Sequence, residues 1–451
     1  MKIVIVGNGK VGHTLAEQLS REDHDIVLVD NNSKALKNTL DVLDVIGIQG
    51  NGASLSVQLE ADVPKADILI AATSTDELNI LSCMVAKKLG VKHSIARVRN
   101  PEYRDQLIFM KEELGLSMSI NPEFAAAMEI SRILRFPSAI KVEPFARGNV
   151  ELVEIKLSLD NPLNGLPLSR LYHKYRVKVL ICAVQRKDQV IIPTGDFVLQ
   201  AGDKITIAAA AKEMEAFFKA LGILKNKIRS VMMIGGGKIS YYLARELSAM
   251  GMEVKIVEND EKRCQALSDL LPDASIICGD GTDEELLNEE GIADVDAFVA
   301  LTGLDEENII LSMYAAAKNV DKVITKINKI SFVEILENAN IESVISPKLI
   351  TANEIIRYVR AMQNSLGSNV ETLHRIVDHR VEALEFRVRD NAKLIGIPLK
   401  DLELKDNLLI ACIIRGNRVI IPGGGDEIHR GDSVVVVTMN QNFQDLNDIM
   451  R

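Results

Sequence analysis

At 451 residues, with 47% hydrophobic and 26% charged residues, the chain has the composition of an ordinary globular protein. It has room for roughly two to four domains of about 100 to 200 residues each. A net charge of -10 gives no support for nucleic acid or an anionic membrane surface as a direct partner. Five cysteines (Cys83, Cys182, Cys264, Cys278, Cys412) include no C-x-x-C pair, and each lies in or beside an apolar run. Buried reduced thiols are therefore expected, with no metal site and no disulfides. No apolar stretch approaches the roughly 18 residues that suggest a membrane span, and the opening Met1–Gly7 is too short for a signal-peptide core. The expectation is a cytoplasmic protein without direct membrane insertion.

In chain order, the apolar run Ile3–Val6 reads as a strand, and it feeds Gly7-Asn8-Gly9-Lys10-Val11-Gly12. A helix over His13–Leu19 follows, then a second apolar run, Ile26–Val29, which closes on Asp30. A strand, a G-x-G-x-x-G turn, a helix and an acid at the end of the next strand form the fingerprint of a dinucleotide-binding βαβ unit. In that reading Gly7 allows the tight turn, Gly9 lets backbone approach a pyrophosphate, and Gly12 lets the helix pack closely on the strand. The helix N-terminus offers free N–H groups to phosphates. Asp30 could accept both ribose hydroxyls and would repel a 2′-phosphate, which favours NAD(H) over NADP(H). Further strands are expected at Val42–Ile48, Ile68–Ala72 and Ile95–Val98, alternating with helices, so the sheet is expected to be parallel and doubly wound.

Asn121-Pro122-Glu123 places an N-cap residue, a proline and an acid at the start of another helix, whose apolar positions Phe124, Met128, Ile130, Ile133 and Leu134 form a face. After Pro137 the pattern changes to period two. Glu151–Leu157, Lys178–Gln185 and Lys204–Ala209 read as strands, joined by turns at Asn161-Pro162, Gly195-Asp196 and Gly202-Asp203.

The whole unit is then written a second time. Gly7 to Gly12 recurs as Gly235-Gly236-Gly237-Lys238-Ile239-Ser240, and Asp30 as Glu258, both at an offset of 228. Gly50-Asn51-Gly52-Ala53 recurs as Gly279-Asp280-Gly281-Thr282, and Thr73 with Asn79 as Thr302 with Asn308, at 229. Ile191-Ile192-Pro193 matches Ile420-Ile421-Pro422, and Gly202-Asp203 matches Gly431-Asp432, still at 229. The helix at Asn121 is matched by one opening at Ser346-Pro347-Lys348, and the second strand-rich part runs from roughly Asp378 to Thr438 after a linker containing Ser365–Asn369. The expected architecture is α/β: two tandem Rossmann-like parallel sheets over 1–136 and 226–365, each followed by a small α+β strand-rich domain, over 137–225 and 366–451.

Candidate ligand contacts cluster at the carboxyl ends of the parallel strands, where such sheets bind ligands. Asn51 could hydrogen-bond a base, Thr73 follows the fourth strand, and Arg97 with Arg99 could reach phosphates from one side of the fifth. In the second copy Gly235, Gly237, Glu258, Asp280 and Thr302 repeat the set. Ser240 there replaces the third glycine, and Lys326 with Asn328 replaces the two arginines, so the second site is expected to bind NAD more weakly, to bind another nucleotide, or to stand empty. Catalytic machinery is not expected. The seven histidines are scattered, with His93, His173, His374 and His379 in charged or loop-like surroundings, and no G-x-S-x-G, H-E-x-x-H or P-loop lysine motif is present.

The doubled order of glycine turn with Asp30, Gly50-Asn51-Gly52, Thr73–Asn79, the Arg97 and Arg99 strand and a strand-rich domain resembles the TrkA family of Trk-system potassium uptake regulatory subunits. That family carries tandem RCK (regulator of potassium conductance) domains. The resemblance implies a cytosolic gating ring, peripheral on the inner face of the plasma membrane through a membrane-embedded potassium transporter subunit. It also implies a homo-oligomer, commonly a tetramer of two-RCK chains, with the helices after Asn121 and Ser346 as assembly faces. By the same resemblance Gly7, Gly9, Gly12, Asp30, Asn51, Thr73 and Arg97 would hold NAD(H), with ATP or ADP as alternatives in one or both repeats. Asn51 departs from the acid often found there, and Asp280 keeps it. The rival from another class is an NAD-dependent dehydrogenase with a duplicated Rossmann subunit. A third reading is a scaffold whose Rossmann folds are vestigial.

Overall fold

A computed structural model describes residues 1–451 except 23, 104–105, 107–112, 146–147, 224–227, 330–335, 337–340, 342, 366–369, 378–379, 417, 441–442 and 444. The expected linker beyond Ser365, the Asp378 boundary and His379 therefore lie outside the described residues, as does the side chain of His374.

The chain separates into two compact units, each assembled from both halves of the sequence: residues 1–131 with 229–356, and residues 132–228 with 357–451. Like parts of the two repeats thus gather together.

The first unit holds two six-stranded parallel sheets. In one, β1 (Lys2–Val6), β2 (Asp25–Asp30), β3 (Ile46–Gln49), β4 (Ile68–Ala71), β5 (His93–Arg97) and β6 (Met118–Ile120) lie in the order β3-β2-β1-β4-β5-β6. The reversal between β1 and β4 makes the crevice at their carboxyl ends the natural ligand position. Ile3, Val4, Ile5 and Val6 are all buried, because a parallel strand covered by helices on both faces needs a continuous apolar run. One expected strand needs correction, and one strand was not expected. Residues 42–45 are not strand: Val42 and Leu43 donate backbone hydrogen bonds to the Thr39 carbonyl and close the helix Ser33–Leu40, which leaves Val42 at 69% exposure. The short edge strand β6 escaped the sequence reading because its three residues carry no alternation.

The second unit holds two five-stranded sheets. The first comprises β7 (Lys141–Phe145), β8 (Val150–Lys156), β9 (Leu180–Arg186), β10 (Gln189–Ile191) and β11 (Lys204–Ala209), in the order β10-β9-β11-β8-β7 with antiparallel pairings. The helix Ala211–Leu221, which the sequence reading did not single out, seats Met214, Phe217 and Phe218 in that sheet's core.

The second repeat restates both sheets. Its parallel sheet runs β12 (Ser230–Ile234), β13 (Glu253–Glu258), β14 (Ala274–Cys278), β15 (Ala297–Ala300), β16 (Lys322–Lys326) and β17 (Ser343–Ile345), in the order β14-β13-β12-β15-β16-β17. Its antiparallel sheet comprises β18 (Val370–Ile376), β19 (Val381–Arg387), β20 (Leu408–Arg415), β21 (Arg418–Ile420) and β22 (Ser433–Thr438).

Within the second unit the two antiparallel sheets share one core, in which Val150, Leu152, Cys182 and Ala208 meet Val381, Ala383, Cys412 and Val435. Burial pushes the Cys182 thiol up to about 12, as suits an inert packing group. Four of the five cysteines are buried and all are free, but Cys278 is exposed because it ends the edge strand β14.

The helix Pro122–Arg135 is capped as expected, with the Asn121 side chain accepting the Phe124 N–H at 2.9 Å. Its apolar positions are already used inside the chain. Ile130, Ile133 and Leu134 are buried, and Phe124 meets Tyr242 of the second repeat edge-on at 5.4 Å. Asn121 also donates to the Tyr242 hydroxyl at 2.9 Å. The first turn of this helix thus meets the second repeat of the same chain.

Candidate functional site

Gly7 follows β1 at φ +102°, and a Cβ there would stand 2.9 Å from the Ala72 carbonyl group and the Thr73 nitrogen. The turn thus lies directly against the end of β4. A Cβ at Gly12 would come within 1.8 Å of the Gly7 carbonyl oxygen, so helix and strand meet too closely for a side chain. Gly9 is different. It is exposed, its φ of -76° suits any residue, and a Cβ would meet nothing within 4 Å. The fold requires Gly7 and Gly12, whereas at Gly9 it asks only for a helix cap, and the open space above that residue is free for something outside the chain.

Asp30 ends β2 facing this turn. Its carboxylate accepts the Asn8 backbone N–H and, at 2.8 Å, that of Asn32. It therefore stands at the mouth of the crevice, bonded to groups that could give way to ribose hydroxyls. Asn8 itself is 8% exposed, and its side-chain amide donates to the Ala35 carbonyl at 2.8 Å and to Thr39 at 2.9 Å. Its side chain therefore ties the turn to the next helix and leaves only its backbone for a ligand. Val11 is likewise buried, while Lys10 is exposed.

On the far side of the crevice Asn79, fully buried, pins two strand ends. Its carbonyl accepts the Thr73 N–H and hydroxyl, both at 2.7 Å, and its amide donates to the Arg97 carbonyl at 2.8 Å. Arg97 donates to the Thr73 carbonyl and Arg99 to that of Ser74; the buried Nε of Arg97 has no hydrogen-bond partner, while that of Arg99 is paired with the Asp76 carboxylate at 3.7 Å. Burial, with the neighbouring Arg99 charge, lowers the pKa of Arg97 from its ordinary value. Glu123, at the start of the helix Pro122–Arg135, carries a buried Oε2 without a partner, and burial raises its pKa against the pull of Arg99, Arg97 and Lys238. Unsatisfied donors and acceptors at one strand end are what a polar ligand would complete. Asn51 is exposed, in a turn where its side chain accepts the Ala53 N–H at 3.0 Å.

The second repeat builds the same crevice with substitutions. Gly235 has φ +97°, and Gly237 again has nothing within 4 Å of a Cβ. Ser240 is fully buried, and its hydroxyl donates to the Gly235 carbonyl, so the turn survives by converting a close approach into a hydrogen bond. Glu258 accepts the Gly236 N–H at 2.6 Å and the Asp260 N–H at 2.9 Å. Asp280 is exposed, and the Thr282 N–H and hydroxyl hold its carboxyl below the usual range. The Thr302 N–H donates to Asn308 at 2.8 Å, and Lys326 reaches the Thr302 carbonyl.

The sequence reading missed Asp76 and Asp305, each in the first turn of its helix and each only 6% exposed. Asp76 accepts the backbone N–H groups of Arg99 and Asn100 at 2.9 and 2.7 Å, and Asp305 those of Asn328 and Lys329 at 2.9 and 2.8 Å. They recur at the repeat offset of 229, which is the signal that could have found them. Arg263 was missed for the opposite reason: its counterpart in the first repeat is Ala35, and its Nε donates to the Gly236 carbonyl at 2.7 Å. Among the described residues no group of three or more His, Cys, Asp and Glu is placed to hold a metal ion.

Comparison with known proteins agrees with this geometry. The TrkA-N domain family matches residues 3–122 and 231–347, and the TrkA-C domain family matches 152–222 and 383–451. A Trk system potassium uptake protein TrkA homolog of Archaeoglobus fulgidus is 35% identical over 451 residues, covering 100% of both chains. Homolog 1 of Methanosarcina mazei is 34% identical, covering 97% of each, and the TrkA of Vibrio alginolyticus is 33% identical, covering 98% of this chain and 97% of its own. Among solved structures, the GsuK channel bound to NAD shares the fold with a TM-score of 0.65 at 17% identity, covering 97% of this chain and 76% of that one. The GsuK RCK domain gives 0.65 at 18%, covering 97% and 92%. Two glycine turns with their paired acids, the doubled sheets and full-length identity above 30% place the chain in the TrkA family of Trk-system potassium uptake proteins.

Proposed function

We propose that this chain is a regulatory subunit of a potassium uptake system, binding NAD(H) or another adenine nucleotide at its glycine turns and gating a membrane-embedded potassium transporter. The observation that carries the reading is Gly9, with its counterpart Gly237: a helix cap beside a carboxylate, with nothing of the chain within 4 Å of where a side chain would stand. The NAD of the related GsuK structure supports the same ligand class. Gly7, Gly9, Gly12, Asp30, Asn51, Thr73 and Arg97, with Gly235, Gly237, Glu258, Asp280 and Thr302, are the proposed contacts, Asn8, Lys10 and Val11 contributing backbone. Segments 1–136, 137–225, 226–365 and 366–451 are the proposed domains.

The dehydrogenase alternative gains nothing from the geometry. His93 opens β5, at the end opposite Arg97, and His173 lies on the short helix Leu171–Tyr175 of the strand-rich unit. The protein is read as non-catalytic.

Among the described residues no helix is long and apolar enough to cross a membrane. From its membership of the Trk-system family, the subunit is read as cytoplasmic and peripheral, held through its transporter partner. For the homo-oligomeric ring, the exposed apolar side chains Leu55, Leu59, Leu81 and Met84 of the first repeat are the proposed assembly surface, facing Ile310 and Met313 of another copy's second repeat. There a pocket of about 450 Å³ is lined by Leu287, Ile310, Leu311 and Tyr314 and offers a seat for such side chains.

Gating requires the nucleotide to prefer one state of the ring, and such couplings are typically about 1–3 kcal/mol. The test is calorimetric titration of NAD+, NADH, ATP and ADP into the wild type and Asp30→Ala, with potassium flux through the reconstituted transporter. Saturable binding that weakens in the variant, together with altered flux, supports the reading. Binding without any change in flux would sink the gating role.

A further inference from the structure

The two repeats tether their glycine turns in opposite directions. In the first, the buried amide of Asn8 reaches out from the turn to the Ala35 carbonyl on the next helix. In the second, glycine stands at the turn as Gly236, and Arg263, at the position of Ala35, reaches back from the helix Glu261–Leu270 to the Gly236 carbonyl at 2.7 Å. A buried neutral amide has been exchanged for a half-buried cation.

An exchange made only to hold the turn would not need a guanidinium, which carries five N–H donors. Here the Nε donor is committed to the turn. Gly236 is also the residue whose N–H donates to Glu258 at 2.6 Å, so Arg263 and the ribose-reading carboxylate meet the same residue. The nearby acid Asp260 is engaged in capping, its Oδ1 accepting the Arg263 N–H at 2.7 Å. Across the crevice the balance runs the other way. The first repeat has Arg97 and Arg99 at the end of β5, whereas the second has Lys326 and Asn328. Lys326 is bound to the Thr302 carbonyl, and burial lowers its pKa.

We propose that Arg263 is a ligand-contacting residue of the second site, meeting a nucleotide phosphate on the adenosine side of the glycine turn. The forked cation that the first site keeps at β5 is thereby moved to the near side. The second repeat would then select short adenosine nucleotides, AMP or ADP, while the first selects a dinucleotide that spans the crevice to Arg97 and Arg99. A planar guanidinium suits this role because it can bind phosphate oxygens in pairs. The inference rests on the nucleotide-binding reading above.

The experiment uses the full-length chain in two backgrounds: Asp30→Ala, which leaves the second site, and Glu258→Ala, which leaves the first. AMP, ADP and NAD+ are titrated into each, with and without Arg263→Ala, Arg263→Gln and Arg263→Lys, at two salt concentrations. Gln can still donate to the Gly236 carbonyl, so it removes the charge while keeping a tether. The expected result in the Asp30→Ala background is that Ala and Gln both weaken ADP and AMP by roughly 10- to 100-fold, the range for a hydrogen bond to a charged group. Their salt dependence should flatten, and Lys should restore part of the affinity. NAD+ binding in the Glu258→Ala background should be unaffected. Unchanged ADP affinity in Arg263→Gln overturns the inference, and so does weakening with an unaltered salt dependence, which would indicate base stacking. Absence of any nucleotide binding to the wild type would instead overturn the underlying reading.

Discussion

Replacing Gly9 by alanine separates what the fold needs from what a ligand needs. The residue caps the helix Lys10–Ser20 with φ -76° and ψ -171°, a conformation open to any L-residue, and the added Cβ has nothing within 4 Å. Alanine is a poorer N-cap than glycine, but it also lowers the entropy of the unfolded chain, so the two effects of up to about 1 kcal/mol oppose each other. A melting shift of no more than about 4 °C is expected. Binding should respond very differently. A methyl group where the pyrophosphate approaches the turn would displace at least one charge-assisted backbone bond, worth about 1.5–3 kcal/mol, or roughly 10- to 100-fold in affinity. Gly7→Ala is the contrasting control. Its φ of +102° and a 2.9 Å approach to the Ala72 carbonyl should cost about 3 kcal/mol or more and lower the melting temperature outright. Calorimetric titration of NAD+ alongside thermal melts reads both quantities. If Gly9→Ala melts normally and binds NAD+ as tightly as the wild type, no phosphate approaches that turn and the reasoning is refuted.

Three further outcomes are expected. In the strand-rich unit Asp432, 1% exposed, accepts from Arg415 Nε at 3.0 Å and from the His429 N–H at 2.8 Å, so Arg415→Met should cost about 1–3 kcal/mol by removing the cation and leaving only the backbone donor. Denaturant unfolding of Arg415→Met and of Arg415→Met with Asp432→Leu would show it, the double variant recovering much of the loss. Burial pushes the Asp305 carboxyl up, but the N–H groups of Asn328 and Lys329 outweigh this and hold it below its ordinary value. Its stabilisation is full above about pH 4 and is lost on acidification below that, so Asp305→Asn should flatten the acid limb of a stability-against-pH curve and leave its slope at neutral pH alone. Finally, Leu81→Glu and Ile310→Glu place charges on exposed apolar faces, at 49% and 67% exposure, and should lower the mass seen by light scattering without lowering the melting temperature. An unchanged oligomer would move the assembly surface elsewhere.

The fold was legible because duplication states every motif twice: a glycine turn that might stand alone by chance does not recur with its acid, its Thr and its Asn at one offset. Other features were hidden for physical reasons. The run from Val42 reads as strand by composition, yet its first residues finish a helix, and hydrogen bonds to Thr39 decide that, not hydropathy. The helix after Asn121 was recognised, but its partner was not, since an apolar face shows that something covers it and not what. In the crevice the glycines and acids announced themselves by spacing. Asp76 did not, because a buried carboxylate that accepts backbone N–H groups looks in sequence like any acid in a first helical turn. Arg263 breaks the repeat, and a search for what recurs passes over such a residue.

The gathering of like parts from both halves of the chain has a consequence for stoichiometry. Two identical subunits paired about a symmetry axis must carry identical sites, whereas two repeats joined covalently are free to diverge, and residues 1–131 and 229–356 have done so within one unit. Whatever number of chains assembles, each contributes one crevice of either kind, and on the proposed reading one site of either kind. If the two sites differ as proposed, NAD+ and ADP should each saturate at one equivalent per chain, and a mutation in one repeat should remove one of the two and spare the other.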